Sequence, residues 1–110
     1  MDIPEAGVRA TRVRGLYHQL EERLEGERWS ARDDMLGLVN DVGALSRLVM
    51  AVEGKWKPEG ELADLLPAKL SECLWWLLVL ADRLDVDLET AFTSRMDELE
   101  AHLRESIAAE

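Results

Sequence analysis

Ala68-Lys69-Leu70-Ser71-Glu72-Cys73-Leu74-Trp75-Trp76-Leu77-Leu78-Val79-Leu80-Ala81-Asp82-Arg83-Leu84 is the stretch that decides the fold. It is the most apolar segment of the chain, it has helical length, and it carries two charges at its head. Lys69, Glu72 and Trp76 recur at i, i+3 and i+7, so they share one helix face. A second apolar helix around Asp41 has the length and pattern to pack against that face. Any chemistry is expected where these two helices meet.

Composition bounds what surrounds this segment. The chain has 110 residues, one domain's worth, of which 47% are hydrophobic, too many for a disordered segment. A domain this long buries roughly 60% or more of its unfolded surface, enough for a modest core. Leu, Ala, Glu and Arg dominate while β-branched and aromatic residues are sparse, which favours helix. The net charge of −10 disfavours DNA, RNA and anionic membranes, all of which need a positive field. A nucleotide stays compatible with an acidic protein if a metal neutralises its phosphates. Cys73 is the single cysteine, so no intramolecular disulfide forms, and its place in the apolar helix makes it a small buried hydrophobe. Met1-Asp2-Ile3-Pro4 has neither the basic start nor the apolar core of a signal peptide. The longest uninterrupted apolar run, Cys73 to Ala81, falls short of the roughly 20 residues of a membrane span. A soluble cytoplasmic protein is expected.

In chain order, residues 1–5 read as a loose leader. A helix follows from about Glu5 to Glu25, with Val8, Val13, Leu16, Leu20 and Leu24 as its apolar positions. Arg9, Arg12 and Arg14 come early and Glu21, Glu22 and Glu25 late, against the helix dipole, so tertiary contacts must hold it. His18, lacking a spaced partner, reads as a surface or packing residue. Gly26 ends this helix. Ser30 then caps the second, with Asp33 three residues on as an acidic capping box. That helix runs to about Glu53, and its apolar face from Met35 to Val52 is wider than one neighbour requires. Such width predicts burial on two sides, as in a bundle that also dimerises. Gly54 to Gly60 is the clearest loop, a short helical turn is expected at 61–66, and Pro67 fits the first position of the third helix. Asp87 caps a fourth helix from Leu88 to about Ile107. Four helices with short connections predict an all-α bundle.

There is no Gly-rich phosphate loop, no Cys or His cluster at zinc spacing, and no Ser-His-Asp set. What remains is a pair of facing turns, Asp41-Val42-Gly43-Ala44 and Lys69-Leu70-Ser71-Glu72. Carboxylates at i and i+3 on two facing helices can hold Mg²⁺ beside a phosphate, because hard cations take oxygen ligands. Here each turn supplies one carboxylate, so two partly buried acids with a charge partner describe the same residues.

Asp41-Val42-Gly43-Ala44-Leu45 resembles the E-V-G-E-L turn of MazG-like, all-α nucleoside triphosphate pyrophosphohydrolases. Lys69-Leu70-Ser71-Glu72-Cys73-Leu74-Trp75-Trp76 resembles that family's E-L-A-D-V-L-x-Y. Leu80-Ala81-Asp82-Arg83-Leu84-Asp85-Val86-Asp87-Leu88 is similar to its L-A-d-r-l-G-I-D-l, and Trp29-Ser30 to the start of its second helix. The likeness covers roughly residues 29–96, with about two dozen residues between the two turns.

The resemblance implies a MazG-like helical domain over 1–110, associated as a homodimer or a dimer of dimers. It also implies cleavage of a nucleoside triphosphate to monophosphate and pyrophosphate by Mg²⁺-activated water. Its metal set falls on Asp41, Ala44, Lys69 and Glu72. Two of these are acidic, one is lost and one has reversed its charge, so metal ligation is expected only from Asp41 and Glu72. Among residues implied to contact nucleotide, Trp76 stands where an aromatic can stack on a base and Arg95 where a basic residue meets phosphate. Hydrolysis is expected to be weak or absent, and no catalytic residue is assigned. A nucleotide-binding, protein-interaction or structural helical bundle without chemistry is the alternative. Lys69 is expected to bridge Asp41 and Glu72 where a Mg²⁺ would otherwise sit.

Overall fold

The computed structural model describes residues 1–109, and four helices account for nearly all of them: α1 (Ile3–Glu25), α2 (Ala31–Val52), α3 (Leu62–Arg83) and α4 (Leu88–Ala108). The described residues contain no strand, so the protein is all-α.

The helix starts follow local chemistry. Asp2 accepts the Glu5 N–H at 2.8 Å and caps α1, so the expected loose leader is helical from Ile3, with Pro4 in the first turn where its missing N–H costs nothing. Ser30 and Asp33 close a reciprocal box: the Ser30 N–H reaches Asp33 Oδ2 at 2.8 Å and the Asp33 N–H reaches Ser30 Oγ at 3.2 Å. The Ser30 N–H and the Ser30 hydroxyl, which also donates to Asp33 Oδ2 at 3.0 Å, hold the Asp33 carboxyl below its usual range. Asp87 accepts from the Thr90 N–H and caps α4. The helix ends are as regular. Past α2, Gly54 takes φ 74° while Lys55 N–H bonds Met50 C=O; past α3, Asp85 takes φ 58° while Val86 N–H bonds Ala81 C=O. Both are left-handed stops that satisfy carbonyls of the last turn.

A second expectation fails. Pro67 does not open α3 but lies inside it, because the helix is continuous from Leu62. In the second turn a proline forfeits only the bond to the Ala63 carbonyl. Leu62, Leu65 and Leu66 are half-buried, and their packing offsets that loss.

Helices α2 and α3 form an antiparallel hairpin: Asp34 meets Arg83 at one end, while Asp41 meets Lys69 and Trp76 further along. Between them lie Leu38, Cys73, Trp76 and Leu80. A Cβ on Gly37 would stand 2.5 Å from the Trp76 ring, so glycine is what lets the indole lie against α2. Helix α1 packs on another face of α3 through Ala10, Leu78 and Val79. Trp75 joins the two clusters and donates its indole N–H to the Ala10 carbonyl at 3.2 Å. Cys73 is buried, and burial pushes its thiol pKa up, as a structural rather than reactive cysteine requires.

Helix α4 buries no residue. Phe92, Met96, Leu99, Leu103 and Ile107 make a stripe along it with nothing against them. A second uncovered face runs along the hairpin: Met35, Val39, Val42 and Val49 on α2, and Leu70, Leu74, Leu77 and Leu84 on α3. Both sets step by i, i+4, i+7 and i+14, and both sit about a quarter-turn from the line that faces the other helix. Because the helices are antiparallel, the two stripes share one side of the hairpin. Taken over a window rather than as an unbroken run, α2 is long and apolar enough to cross a membrane by length and composition.

Candidate functional site

The two turns singled out in the sequence meet across the α2–α3 interface. Lys69 Nζ lies 3.1 Å from Asp41 Oδ1 and 2.6 Å from Glu72 Oε2, so the ammonium bridges the two carboxylates as expected. The other Asp41 oxygen accepts the Trp76 indole N–H at 2.7 Å. Asp41 is thus held from both sides, with its side chain only 15% exposed, whereas Glu72 is 51% exposed and reaches in from the rim. The bonds to Glu72 and then Asp41 raise the Lys69 pKa above its ordinary 10.5, against the pull of burial. Lys69 stays charged throughout the neutral range.

Mg²⁺ asks for about six oxygens in octahedral array. Two carboxylates with an ammonium between them, and Ala44 where a third would stand, do not fit it. No group of three or more His, Cys, Asp or Glu among the described residues could hold a metal ion. Arg95 lies elsewhere, exposed on α4 and paired with Glu98 at 3.1 Å. The structure therefore brings together Asp41, Lys69, Glu72 and Trp76, and leaves Arg95 apart from them.

Beside the ion pair opens a cleft of about 670 Å³ between α1 and the α2–α3 hairpin. Its walls are aromatic and continuous. Tyr17 meets Trp75 at 5.4 Å between centroids, Trp75 meets Trp76 at 4.5 Å, and Trp76 lies nearly parallel to Trp29 at 6.2 Å. Val13, Leu20 and Leu24 add an apolar side from α1. The Trp76 ring is largely buried, so its contribution is to position Asp41 and close the inner wall.

Behind the cleft lies a charge cluster that the sequence does not announce. Asp34 is fully buried. Its Oδ1 is 3.1 Å from an Arg14 amino nitrogen and its Oδ2 is 3.2 Å from Arg83 Nε. Neither carboxylate oxygen receives a well-directed hydrogen bond, and burial raises the Asp34 pKa although both guanidiniums oppose the rise. Arg14 also forms a two-bond pair with Glu21, whose Oε1 accepts the Trp29 backbone N–H at 2.7 Å. Burial works to raise the Glu21 pKa, but those bonds outweigh it and the carboxyl titrates below its usual range. Arg83 donates to the Trp29 carbonyl at 2.8 Å and to His18 Nε2 at 2.7 Å. A guanidinium only donates, so the imidazole is neutral with its proton on Nδ1. Burial and the neighbouring arginines hold the His18 pKa below 6.5.

In sequence, Asp34 passes for one more acid in the first turn of α2, Arg14 for a surface arginine and His18 for a packing residue. The one available signal is the reversed charge order of α1, which demanded tertiary partners without naming them. Compared with family models, with curated proteins and with solved structures, the chain matches none.

Proposed function

We propose that this protein is a MazG-like bundle in which an internal ammonium has replaced the metal, so that Mg²⁺-dependent pyrophosphohydrolysis is weak or absent. The observation that carries this reading is Lys69 Nζ seated between Asp41 and Glu72. With four acidic ligands the site would carry −4, whereas Asp41, Glu72 and Lys69 sum to −1. Two unit charges about 4 Å apart interact by roughly 4 kcal/mol at an effective dielectric of about 20. Exchanging an attracting ligand for a repelling cation therefore removes several kcal/mol of metal affinity. The alternative is a bundle that binds a nucleotide, or a partner protein, without chemistry.

The protein acts as a homodimer or a dimer of dimers. The chain exposes 8423 Å². A compact monomer of 12.5 kDa exposes about 6,200 Å². The excess of roughly 2,200 Å² per chain is within what obligate homodimers bury. The radius of gyration, 17.6 Å, likewise exceeds the roughly 13 Å of a compact chain of this length. The uncovered face of the α2–α3 hairpin and the α4 stripe supply that area.

The decisive measurement is pyrophosphate release from a panel of (d)NTPs with Mg²⁺ or Mn²⁺. It compares the natural chain with the double variant Ala44→Glu, Lys69→Glu, which restores four carboxylates. The natural chain is expected at background, with activity emerging in the variant. Strong turnover by the natural chain overturns the proposal. If both are silent while a nucleotide raises the melting temperature, binding without chemistry stands. If no nucleotide shifts it, the bundle serves protein interaction or structure.

A further inference from the structure

We propose that the cleft between α1 and the α2–α3 hairpin binds an organic cation with an apolar body, by seating its charged head against the Tyr17–Trp75–Trp76–Trp29 wall inside a rim of carboxylates. This goes beyond the reading of the ion pair, and it does not depend on whether the chain hydrolyses a nucleotide.

The first observation is where the aromatic residues are. The chain has six, and four of them line this cleft in unbroken contact. A core needs no such concentration: Tyr17 is about half exposed, and Trp29 and Trp75 are only partly buried. Aromatic faces carry negative electrostatic potential and attract a poorly hydrated cation placed over them. The second observation is charge. Glu21, Glu25, Asp41 and Glu72 line the cleft against one lining cation, Arg14, and Lys69 stands beside it on Asp41 and Glu72. Both cations are already committed, Arg14 to Glu21 and Asp34, and Lys69 to Asp41 and Glu72. Glu25 makes no ion pair among the described residues, and the site keeps two negative charges in excess. A phosphate-bearing ligand would meet four carboxylates with no free donor of positive charge. A cation meets a lining of net negative charge.

The third observation is shape. Val13, Leu20 and Leu24 add apolar surface along α1, on the same helix that carries Glu21 and Glu25. A volume of about 670 Å³ is that of a small-molecule pocket rather than a single-ion site. The ligand class is therefore an ammonium carrying a hydrocarbon or aromatic body.

Three of the four tryptophans line the cleft, so their fluorescence reports its occupancy, and Trp56→Phe removes the one outside it. The protein in its native assembly is titrated with benzyltrimethylammonium, with the neutral 3-phenyl-1-propanol and with the anion 3-phenylpropionate, at one ionic strength. The cation is expected to bind saturably and at least tenfold more tightly than the neutral compound, with no binding of the anion. Glu25→Gln and Tyr17→Leu alter solvent-facing side chains and leave the core intact. Each is expected to weaken the cation at least threefold, and Tyr17→Leu to spare the neutral compound. Equal affinity for cation and neutral compound overturns the proposal, because the cleft is then merely apolar. Preference for the anion overturns it in favour of a phosphate-type ligand. No saturable response overturns it too, and leaves the cleft to a second copy or a protein partner. None of these readouts measures pyrophosphate, so failure here leaves the hydrolysis question standing, and the reverse holds.

Discussion

At Lys69 one nitrogen satisfies two carboxylates of unequal burial, and the consequences differ by partner. Removing the charge but keeping the stem, as in Lys69→Met, strands Asp41 with only the Trp76 N–H. This is expected to cost about 1 kcal/mol, between the values for exposed and for buried pairs. Glu72→Gln touches the half-exposed partner and is expected to cost under about 0.5 kcal/mol. Urea midpoints at fixed protein concentration separate the two. The ion pair survives neutral pH: a raised lysine pKa contributes below 10.5 and is lost only as pH rises beyond it. The buried cluster is the acid-sensitive part. His18 is held below 6.5 when folded, so the unfolded chain binds its proton first, and stability falls as pH drops through about 6.5. Glu21, whose pKa is depressed, adds a further loss below its ordinary 4.5. Asp34 works in the opposite sense, because its raised pKa favours the fold in acid and loses that contribution as pH rises. Urea midpoints measured from pH 7.5 to 5.5 are expected to decline, and His18→Gln to flatten the decline.

The helices show the same residue type doing opposite work. Gly37 and Gly15 both lie inside helices, where alanine gains roughly 0.5–1 kcal/mol of propensity. At Gly15 a Cβ meets nothing within 4 Å, so Gly15→Ala is expected to stabilise by about that amount. At Gly37 the new carbon collides with the Trp76 ring, buried among Leu38, Cys73 and Leu80. Overpacking there costs about 1–3 kcal/mol and outweighs the gain, so Gly37→Ala is expected to be net destabilising. Differential scanning calorimetry of the two variants reads the sign directly. The hydrophobic pattern alone does not separate the two glycines, since each lies within a helix with an apolar period. Their difference lies wholly in what stands opposite.

For the molecule as a whole, the largest feature is surface that one chain leaves uncovered. Sedimentation is expected to give at least twice the 12.5 kDa chain mass, with a melting temperature that rises with protein concentration. Placing charge in the centre of the uncovered face, as in Val42→Lys with Leu74→Lys, is expected to shift the mass toward the monomer. A natural chain that sediments as a monomer at all concentrations would contradict the association. The apolar α2 fits the same picture, because its outer stripe is continuous with that of α3 on one side of the hairpin.

The four helices and most of their caps and stops were legible in the sequence because each is written locally: Ser30 with Asp33, Asp87, Gly26, Gly54 and the apolar periods between them; the Asp2 cap of α1 and the Leu62 start of α3 were not. The Lys69 bridge was legible too, through the i, i+3 spacing to Glu72 on one helix and the resemblance that set the Asp41 turn opposite it. Pro67 misled because a proline marks a helix start in isolation, whereas α3 runs unbroken from Leu62, with Leu62, Leu65 and Leu66 half-buried. The aromatic cleft and the Arg14–Asp34–Arg83 cluster were decided only in three dimensions. Their members come from three helices far apart in the chain, and no period or spacing relates residues 14, 34 and 83. A local pattern fixes which face of a helix is apolar. Only the packing of one helix on another decides which charges that face must bury and which aromatic rings it leaves open.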